Sequence, residues 1–217
     1  MGHKLRTGSK RVTLQGAMTK LPFAIAAAAA FALPASAATL ADVQAHLRAV
    51  TTMTADFSQT DQNGKTLTGT LSLKRPGKIR FQYQKGVPLL IVGDGKALTM
   101  IDYQVAQVSR WPIGNSPLSV LLDPSRDLSK VAHVVPGAGA GRLLVEGRDP
   151  KHPEFGTITI GFQESPEAPA GLVLAGWSVL DAQGNRSTVV LSNQRFNVPI
   201  EDRTFLWRDP RPQNRGH

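Results

Sequence analysis

Residues 71–84 read LSLKRPGKIRFQYQ, and this stretch decides the fold class. Apolar side chains alternate with polar ones along both of its arms: Leu71, Leu73, Ile79, Phe81 and Tyr83. Alternation with a period of two around a Pro-Gly turn predicts a β-hairpin with one buried face. Counting by two from Leu73 places Arg75 on that same face, so a guanidinium is expected where apolar side chains point.

Similar strand patterns extend outward from this hairpin along most of the chain. A strand at 53–60 precedes it, and the Asn63-Gly64 turn connects that strand to the arm at 66–74. Turn residues separate the other predicted strands: 78–84, 88–93, 96–103, 105–111, 131–135, 142–147, 156–163, 172–181, 185–195 and 204–207. Consecutive short strands of this kind indicate an antiparallel meander rather than βαβ units.

Short helices interrupt the strands at two places. Thr39 and Asp42 have the spacing of a capping box, and the apolar residues that follow recur on one helical face: Leu40, Val43, Leu47 and Val50. The second helix is predicted at 114–124, where Ser116 is placed to cap the N-terminus and Asp123-Pro124 ends the helix. One further helical turn is predicted at 199–202.

These patterns predict a mainly β protein of about 10 or 11 strands with two or three short helices. One face of such a sheet needs an apolar covering. The sheet can meet this need by folding into a sandwich, by closing into a barrel, or by curling around the short helices. Periodicity does not decide between a packed core and a cavity that is left open for a ligand.

Residues 18–37 have the three parts of a secretory signal peptide. Lys20 is the basic start, residues 21–33 are a short apolar core, and Ala35-Ser36-Ala37 is the small-residue cleavage site. Residues 1–17 are interpreted as a misplaced translation start or an extended basic region, so the true start is expected at Met18. We expect a mature chain that begins at Ala38, with a single domain at 38–207 and a disordered polar tail at 208–217.

Removal of residues 1–37 changes the meaning of the net charge. It takes away five of the 25 basic residues and none of the 16 acidic ones, so the formal charge falls from +9 to +4. Most of the net positive charge therefore lies in the predicted targeting segment, and a nucleic-acid partner is not expected.

Sequence motifs for catalysis, metals and cofactors are missing. The chain contains no cysteine, and its five histidines do not form a pair at metal-ligand spacing. The glycine-rich stretch GAGAGR at 137–142 lacks the Lys-Ser/Thr ending of a phosphate-binding loop and is interpreted as a hairpin loop. No catalytic residue, metal or cofactor is expected, and a binding protein is favoured over an enzyme.

Several segments, in order along the chain, resemble the LolA family of periplasmic lipoprotein carriers. They are MTADFSQ at 53–59, GTLSLKRPGKIRFQY at 69–83, LIVGDGKAL at 90–98, GNSPLSVLL at 114–122 and DAQGNRSTVVLSNQRFNVPIEDRTFLW at 181–207. The resemblance implies an incomplete antiparallel β-barrel curled around short helices that act as a lid. It also implies a periplasmic carrier, without enzymatic activity, that shuttles lipoproteins from the inner to the outer membrane.

The resemblance further implies the partners of such a carrier. Triacylated lipoproteins would be the cargo, an inner-membrane ABC transporter would load them, and an outer-membrane acceptor of the LolB type would receive them. The chain is expected to be a monomer. The lack of cysteine separates it from LolB, which is itself a lipoprotein.

Site residues follow from the resemblance and from strand parity. By its place in the KRP turn, Arg75 takes the family's role of a latch that holds the lid shut. The residues predicted to line the acyl-chain cavity are Phe57, Leu71, Leu73, Ile79, Phe81, Tyr83, Leu90, Val92, Leu98 and Met100. Leu118, Leu121 and Leu122 are predicted to form the underside of the lid. Because aromatic residues make up 6% of the chain, a cavity lined mainly by leucine, isoleucine and valine is expected.

Three other functions remain open at this point. A relative of the carriers that senses lipoproteins and regulates a partner would share these motifs, although the chain has no room for a second domain. A carrier of free lipid or of a small apolar ligand cannot be separated from a lipoprotein carrier by sequence. An exported enzyme with an unrecognised site is the third alternative.

Overall fold

Eleven antiparallel strands form one sheet in the computed structural model, which describes residues 38–116, 118–149 and 153–212. The strands are β1 (Thr52–Thr60), β2 (Thr66–Lys74), β3 (Lys78–Tyr83), β4 (Leu89–Asp94), β5 (Ala97–Asp102), β6 (Gln107–Pro112), β7 (Ala132–Val135), β8 (Arg142–Arg148), β9 (Thr157–Glu164), β10 (Leu172–Leu180) and β11 (Arg186–Phe196). The α-helices are α1 (Leu40–Ala49) and α2 (Ser119–Leu122). The predicted mainly β fold is confirmed.

The strand order is β6-β5-β4-β3-β2-β1-β11-β10-β9-β8-β7. Neighbours in the sheet are consecutive in sequence except where β1 pairs with β11, in a register that sets Phe57 opposite Leu191. The sheet is not closed, because β6 and β7 are its two edges. The segment that joins these edges carries α2, so the chain crosses from one edge to the other through its short helices.

The sheet curls strongly about its inner face. The rings of Phe81 on β3 and Trp177 on β10 have centroids 6.1 Å apart in an edge-to-face contact. These strands are four positions apart in the sheet order, and in a flat sheet they would be separated by about 19 Å. The two halves of the sheet therefore face each other and share one core.

The inner core is built from alternate residues of both halves. It includes Met53, Leu71 and Phe81 from one half and Ile158 and Leu174 from the other. The central hairpin behaves as its sequence predicts, since the apolar residues of β2 and β3 all point inward.

A second, smaller cluster lies on the outer face of the sheet. There the C-terminal segment crosses β3, β4 and β5, and Phe205 is buried against them. The predicted strand at 204–207 is wrong: Asp202–Phe205 is a 3-10 turn. Basic side chains of the sheet hold this turn, because Lys74 and Lys78 pair with Asp202 at 2.8 and 3.0 Å and Arg80 donates to the Thr204 carbonyl at 3.2 Å.

Helix α1 begins with the predicted capping box. The Thr39 side chain accepts from the Asp42 amide, and the Asp42 carboxylate accepts from the Thr39 amide at 2.7 Å. Val43 and Leu47 are buried in the inner core. Residues 1–37 and 213–217 lie outside the described part of the chain, so the predicted signal peptide and the end of the tail are not described.

The helix predicted at 114–124 is shorter in the structure. A 3-10 turn at Ile113–Asn115 precedes α2, and a second one at Leu128–Lys130 follows it. We call these three elements, together with Ser116 and Leu118 just before α2, the lid, because they lie against the inner core between the two sheet edges. No helix among the described residues is long and apolar enough to span a membrane.

Candidate functional site

Arg75 joins the sheet to both helices of the inner face. Its Nη1 donates to the Val50 carbonyl at the end of α1 at 2.5 Å, and its Nε donates to the Leu121 carbonyl of α2 at 3.1 Å. Burial lowers the pKa of Arg75 to about 10, which still leaves the guanidinium charged at neutral pH. The charge is thus satisfied by helix-end carbonyls, which are free to accept because helices leave their last carbonyls unpaired.

The turn that carries Arg75 also contacts the lid through its backbone. The Gly77 amide donates to the Leu122 carbonyl at 3.0 Å. Gly77 has a φ of +73°, and a Cβ on it would lie 2.6 Å from the Cα of Gly95. Only glycine fits this contact, so the KRPG turn and the DGK turn pack directly against each other beneath the lid.

A cavity of about 340 Å³ lies between the inner face of the sheet and the lid. Leu118 contributes from the lid side, and the apolar walls come from β3, β4, β5, β6, β10 and β11: Phe81, Ile91, Leu98, Trp111, Trp177, Val179 and Val189. Polar residues that also line it are Gln59, Ser116, Glu154, Asp181 and Ser187. An apolar pocket with a few polar groups has the chemistry of a site for a lipid-like ligand.

Four aromatic residues in and beside the cavity wall form a connected group. Phe57 contacts Phe81 and Tyr83 edge to face, with centroids 5.3 and 5.2 Å apart, and Phe81 in turn contacts Trp177. Leucine, isoleucine and valine make up five of the eight described apolar residues that line the cavity, and Phe81, Trp111 and Trp177 are the other three.

One polar network lies in the cavity wall. The Tyr83 hydroxyl donates to Gln59 Oε1 at 2.5 Å, and Gln59 Nε2 donates to Ser187 Oγ at 3.1 Å. Burial raises the pKa of Tyr83 to about 12, so the hydroxyl stays neutral and remains a donor.

A groove of about 520 Å³ on the outer face has different chemistry. It runs along β1, β2 and β11, and Asp56, Thr70 and Arg195 are among its lining residues. Asp56 accepts from the Asn193 side-chain amide at 2.7 Å across this groove. Charged and hydroxyl groups make it a poor site for an acyl chain, so the inner cavity is the candidate site.

The model of the family described as outer membrane lipoprotein carrier protein LolA matches residues 48–207. The chain belongs to this family. Members of the LolA family are binding and transport proteins rather than enzymes.

Curated LolA-family relatives match over most of their length. An outer-membrane lipoprotein carrier protein from Chromobacterium violaceum is 34% identical over 87% of this chain and 92% of its own. Another from Xanthomonas campestris pv. campestris strain B100 is 30% identical with the same coverage. A solved LolA superfamily protein from Nitrosomonas europaea has 10% identity and a TM-score of 0.44, covering 79% of this chain and 99% of that one.

Most of the residues predicted for the cavity lie together on the inner face. Seven are buried in the inner core: Phe57, Leu71, Leu73, Ile79, Phe81, Tyr83 and Leu98. Of these, Phe81 and Leu98 line the cavity, and the others pack around it. Met100 is half-buried and pairs across the sheet with Ile91, which places it on the inner face as well.

Leu90 and Val92 require a correction. Both lie on the outer face, where they pack with Ile101 and Phe205. Residues 89–92 are apolar on both faces because the C-terminal segment covers the outer side of their strand. Their alternation therefore could not show which residues face inward. Ile91 is the residue of this strand that lines the cavity.

The lid leucines also divide between two positions. Leu118 lines the cavity, whereas Leu121 and Leu122 are buried in the inner core. Trp177, Val179 and Val189 were missed, although the alternation of β10 and β11 carries the signal that could have found them. The residues that the structure describes include no group of three His, Asp or Glu side chains that could hold a metal ion.

Proposed function

We propose that this chain is a periplasmic carrier that binds the acyl chains of lipoproteins in the inner cavity and shuttles them from the inner to the outer membrane. The observation that carries the proposal is the apolar cavity beneath a lid that Arg75 joins to the sheet. Membership of the LolA family and the names of the curated relatives support it.

The described conformation fits a carrier whose lid lies against the sheet. Drug-sized ligands occupy pockets of about 300–1,000 Å³, and the cavity of about 340 Å³ lies at the lower end of that range. Three acyl chains need more space than this. The lid must therefore move outward when cargo enters, while the sheet supplies the fixed wall.

The latch at Arg75 is weak enough for cargo to displace it. Hydrogen bonds from a charged donor contribute about 1.5–3 kcal/mol each, so its two bonds are worth about 3–6 kcal/mol. Each buried methylene contributes about 0.8 kcal/mol, and about four to eight of them offset the latch. A single acyl chain contains enough methylenes to do so.

The cellular partners form the finer part of the proposal. Export with cleavage after Ala37 would deliver the chain to the periplasm as a monomer. There an inner-membrane ABC transporter would load triacylated lipoproteins, and an outer-membrane acceptor of the LolB type would remove them. The carrier itself uses no cofactor in this scheme.

The test is release of lipoproteins from membranes. Purified residues 38–217 are incubated with spheroplasts, and the supernatant is fractionated by size and probed for acylated lipoproteins and for phospholipid. We expect lipoproteins to leave the membrane in a soluble one-to-one complex with the chain.

Two results would contradict the proposal. Release of phospholipid alone would indicate a carrier of free lipid, and release of neither would indicate another function. An unacylated variant of the same lipoprotein is the control and should not bind.

A further inference from the structure

The cavity wall contains a polar pair that the binding of hydrocarbon does not require. Gln59 and Ser187 lie on β1 and β11, which are neighbours in the sheet, and both line the cavity. Gln59 Nε2 donates to Ser187 Oγ at 3.1 Å, while Gln59 Oε1 accepts from the buried Tyr83 hydroxyl at 2.5 Å. The two bonds fix the direction of the amide.

The pair retains hydrogen-bond donors for a ligand. A primary amide has two N–H donors, and the bond to Ser187 uses one of those on Gln59. The Tyr83 hydroxyl uses one lone pair of the amide oxygen, and the second N–H of the amide is the donor that Gln59 can offer to an occupant of the cavity. A ligand atom that meets it must therefore be an acceptor.

The position of the pair favours an acceptor near the end of an acyl chain. Gln59 is the second-last residue of β1, and Ser187 is the second residue of β11. Both are half-buried. Phe57 and Leu191, which lie two and four residues further into the same strands, are buried in the core. The polar pair thus lies toward the more exposed end of an otherwise apolar wall.

We propose that Gln59 and Ser187 bind a carbonyl oxygen of the ester or amide bond at which an acyl chain joins its headgroup. This inference rests on the proposed carrier function and specifies the chemistry of its ligand. The hydrocarbon fills the apolar part of the cavity, and the pair selects acyl-linked cargo over hydrocarbon that has no carbonyl.

The charge in the cavity wall favours a neutral acceptor. Asp181 also lines the cavity, and its carboxylate disfavours an anionic group nearby. A neutral ester or amide carbonyl accepts a hydrogen bond without meeting this repulsion. A free fatty acid, which ends in a carboxylate, does not share this advantage.

The experiment compares two synthetic probes with the full chain, exported and purified from the periplasm. One probe is a short peptide with a dipalmitoylglyceryl cysteine, and the other carries hexadecyl chains in ether linkage, which removes the ester carbonyls. We expect the native chain to bind the ester probe about three- to tenfold more tightly, as one or two neutral hydrogen bonds would produce. The Gln59→Leu variant should bind the ester probe no more tightly than the ether probe.

Further variants separate this effect from loss of structure. Gln59→Met removes the amide with little change in length, and it should also abolish the preference for the ester. Gln82→Leu removes a glutamine from the outer face of β3 and should retain the preference. A further comparison adds an N-palmitoyl group to both probes and so supplies an amide carbonyl. A smaller preference for the ester probe over the ether probe would then mean that the amide carbonyl competes for the same pair.

The outcomes distinguish the two proposals. Equal affinity of the native chain for ester and ether probes overturns the carbonyl site and leaves the carrier function standing. Failure of the native chain to bind either probe overturns the carrier function itself. A preference for the ester that survives in both Gln59 variants places the carbonyl elsewhere and also overturns the inference.

Discussion

The Nε atom of Arg75 lies 3.1 Å from the carbonyl oxygen of Leu121, so a guanidinium on the sheet is bound to the backbone of the lid. The same side chain reaches the Val50 carbonyl at the end of α1. One residue thus connects the sheet, α1 and α2, and its bonds must break if the lid is to leave the cavity. The neighbouring Gly77–Leu122 backbone bond adds to the same attachment.

Replacing Arg75 with leucine should favour the occupied state. The closed, empty state loses both hydrogen bonds, while the open state loses none of them. Because the two bonds are worth about 3–6 kcal/mol, we expect affinity for a fluorescent acyl probe to rise about 100-fold or more. Transfer of the probe to acceptor vesicles should slow by a similar factor. Stopped-flow fluorescence with mixed vesicles measures both quantities.

Arg80→Leu is the matched control for this substitution. Arg80 belongs to the same hairpin but lies on the outer face, where it donates to the Thr204 and Leu206 carbonyls. It should alter docking of the C-terminal segment without altering affinity for the probe. If both arginine variants changed probe transfer equally, the latch at Arg75 would be wrong.

Gly77→Ala should destabilise the chain more than Gly64→Ala. Both glycines have a positive φ, which costs an alanine about 1–2 kcal/mol. An added Cβ at Gly64 meets open space, whereas at Gly77 it lies 2.6 Å from Gly95 Cα. We expect losses of about 1 kcal/mol at Gly64 and about 3 kcal/mol at Gly77, read from urea unfolding midpoints at constant m value. Equal losses would show that the contact between the two turns carries no strain.

The sequence was sufficient to predict the central hairpin, because only one face of β2 and β3 is apolar there. Alternation assigned Leu71, Phe81 and Tyr83 to the interior, and the same parity placed Arg75 with them. The hydrogen-bond partners of Arg75 could not be predicted from the pattern. Val50 and Leu121 are distant from it in sequence, and they accept through backbone carbonyls, which every residue has.

The outer face could not be predicted in the same way. Leu90 and Val92 are buried because Phe205 covers them, and a covering segment from the far end of the chain leaves no local signal. The residues at 204–207 have strand-like composition, but the Lys74 and Lys78 pairs with Asp202 stabilise a turn there instead. Tertiary contacts override local preference at this site.

His46 should make stability fall at acidic pH. Its ring is 1% exposed, lies edge to face with Phe162 and Phe196, and bonds through Nδ1 to the Pro169 carbonyl. Burial lowers its pKa below 6.5, the Pro169 carbonyl partly opposes the shift, and the charge of Arg75 lowers the pKa further.

The direction of the effect follows from proton binding. The unfolded chain takes up a proton at His46 below about pH 6.5, whereas the folded chain resists it until lower pH. The contribution of His46 to the free energy of unfolding is therefore complete above pH 6.5. It is lost as the pH falls from there through the pKa of His46 in the folded chain. Urea unfolding at pH 7.5 and 5.5 measures this loss, and His46→Phe should reduce it. An equal loss in that variant would assign the pH dependence to other groups.

Photo-crosslinking from neighbouring positions on β11 tests most directly whether acyl chains occupy the cavity. Val189 lines the cavity, whereas Val190 is 57% exposed on the outer face. A photoreactive phenylalanine is placed at one position or the other in the exported chain, and the cells are illuminated. The account predicts crosslinks to the acyl chains of lipoproteins from position 189 and none from position 190. Equal crosslinking from both positions, or acyl crosslinks from position 190 alone, would contradict it.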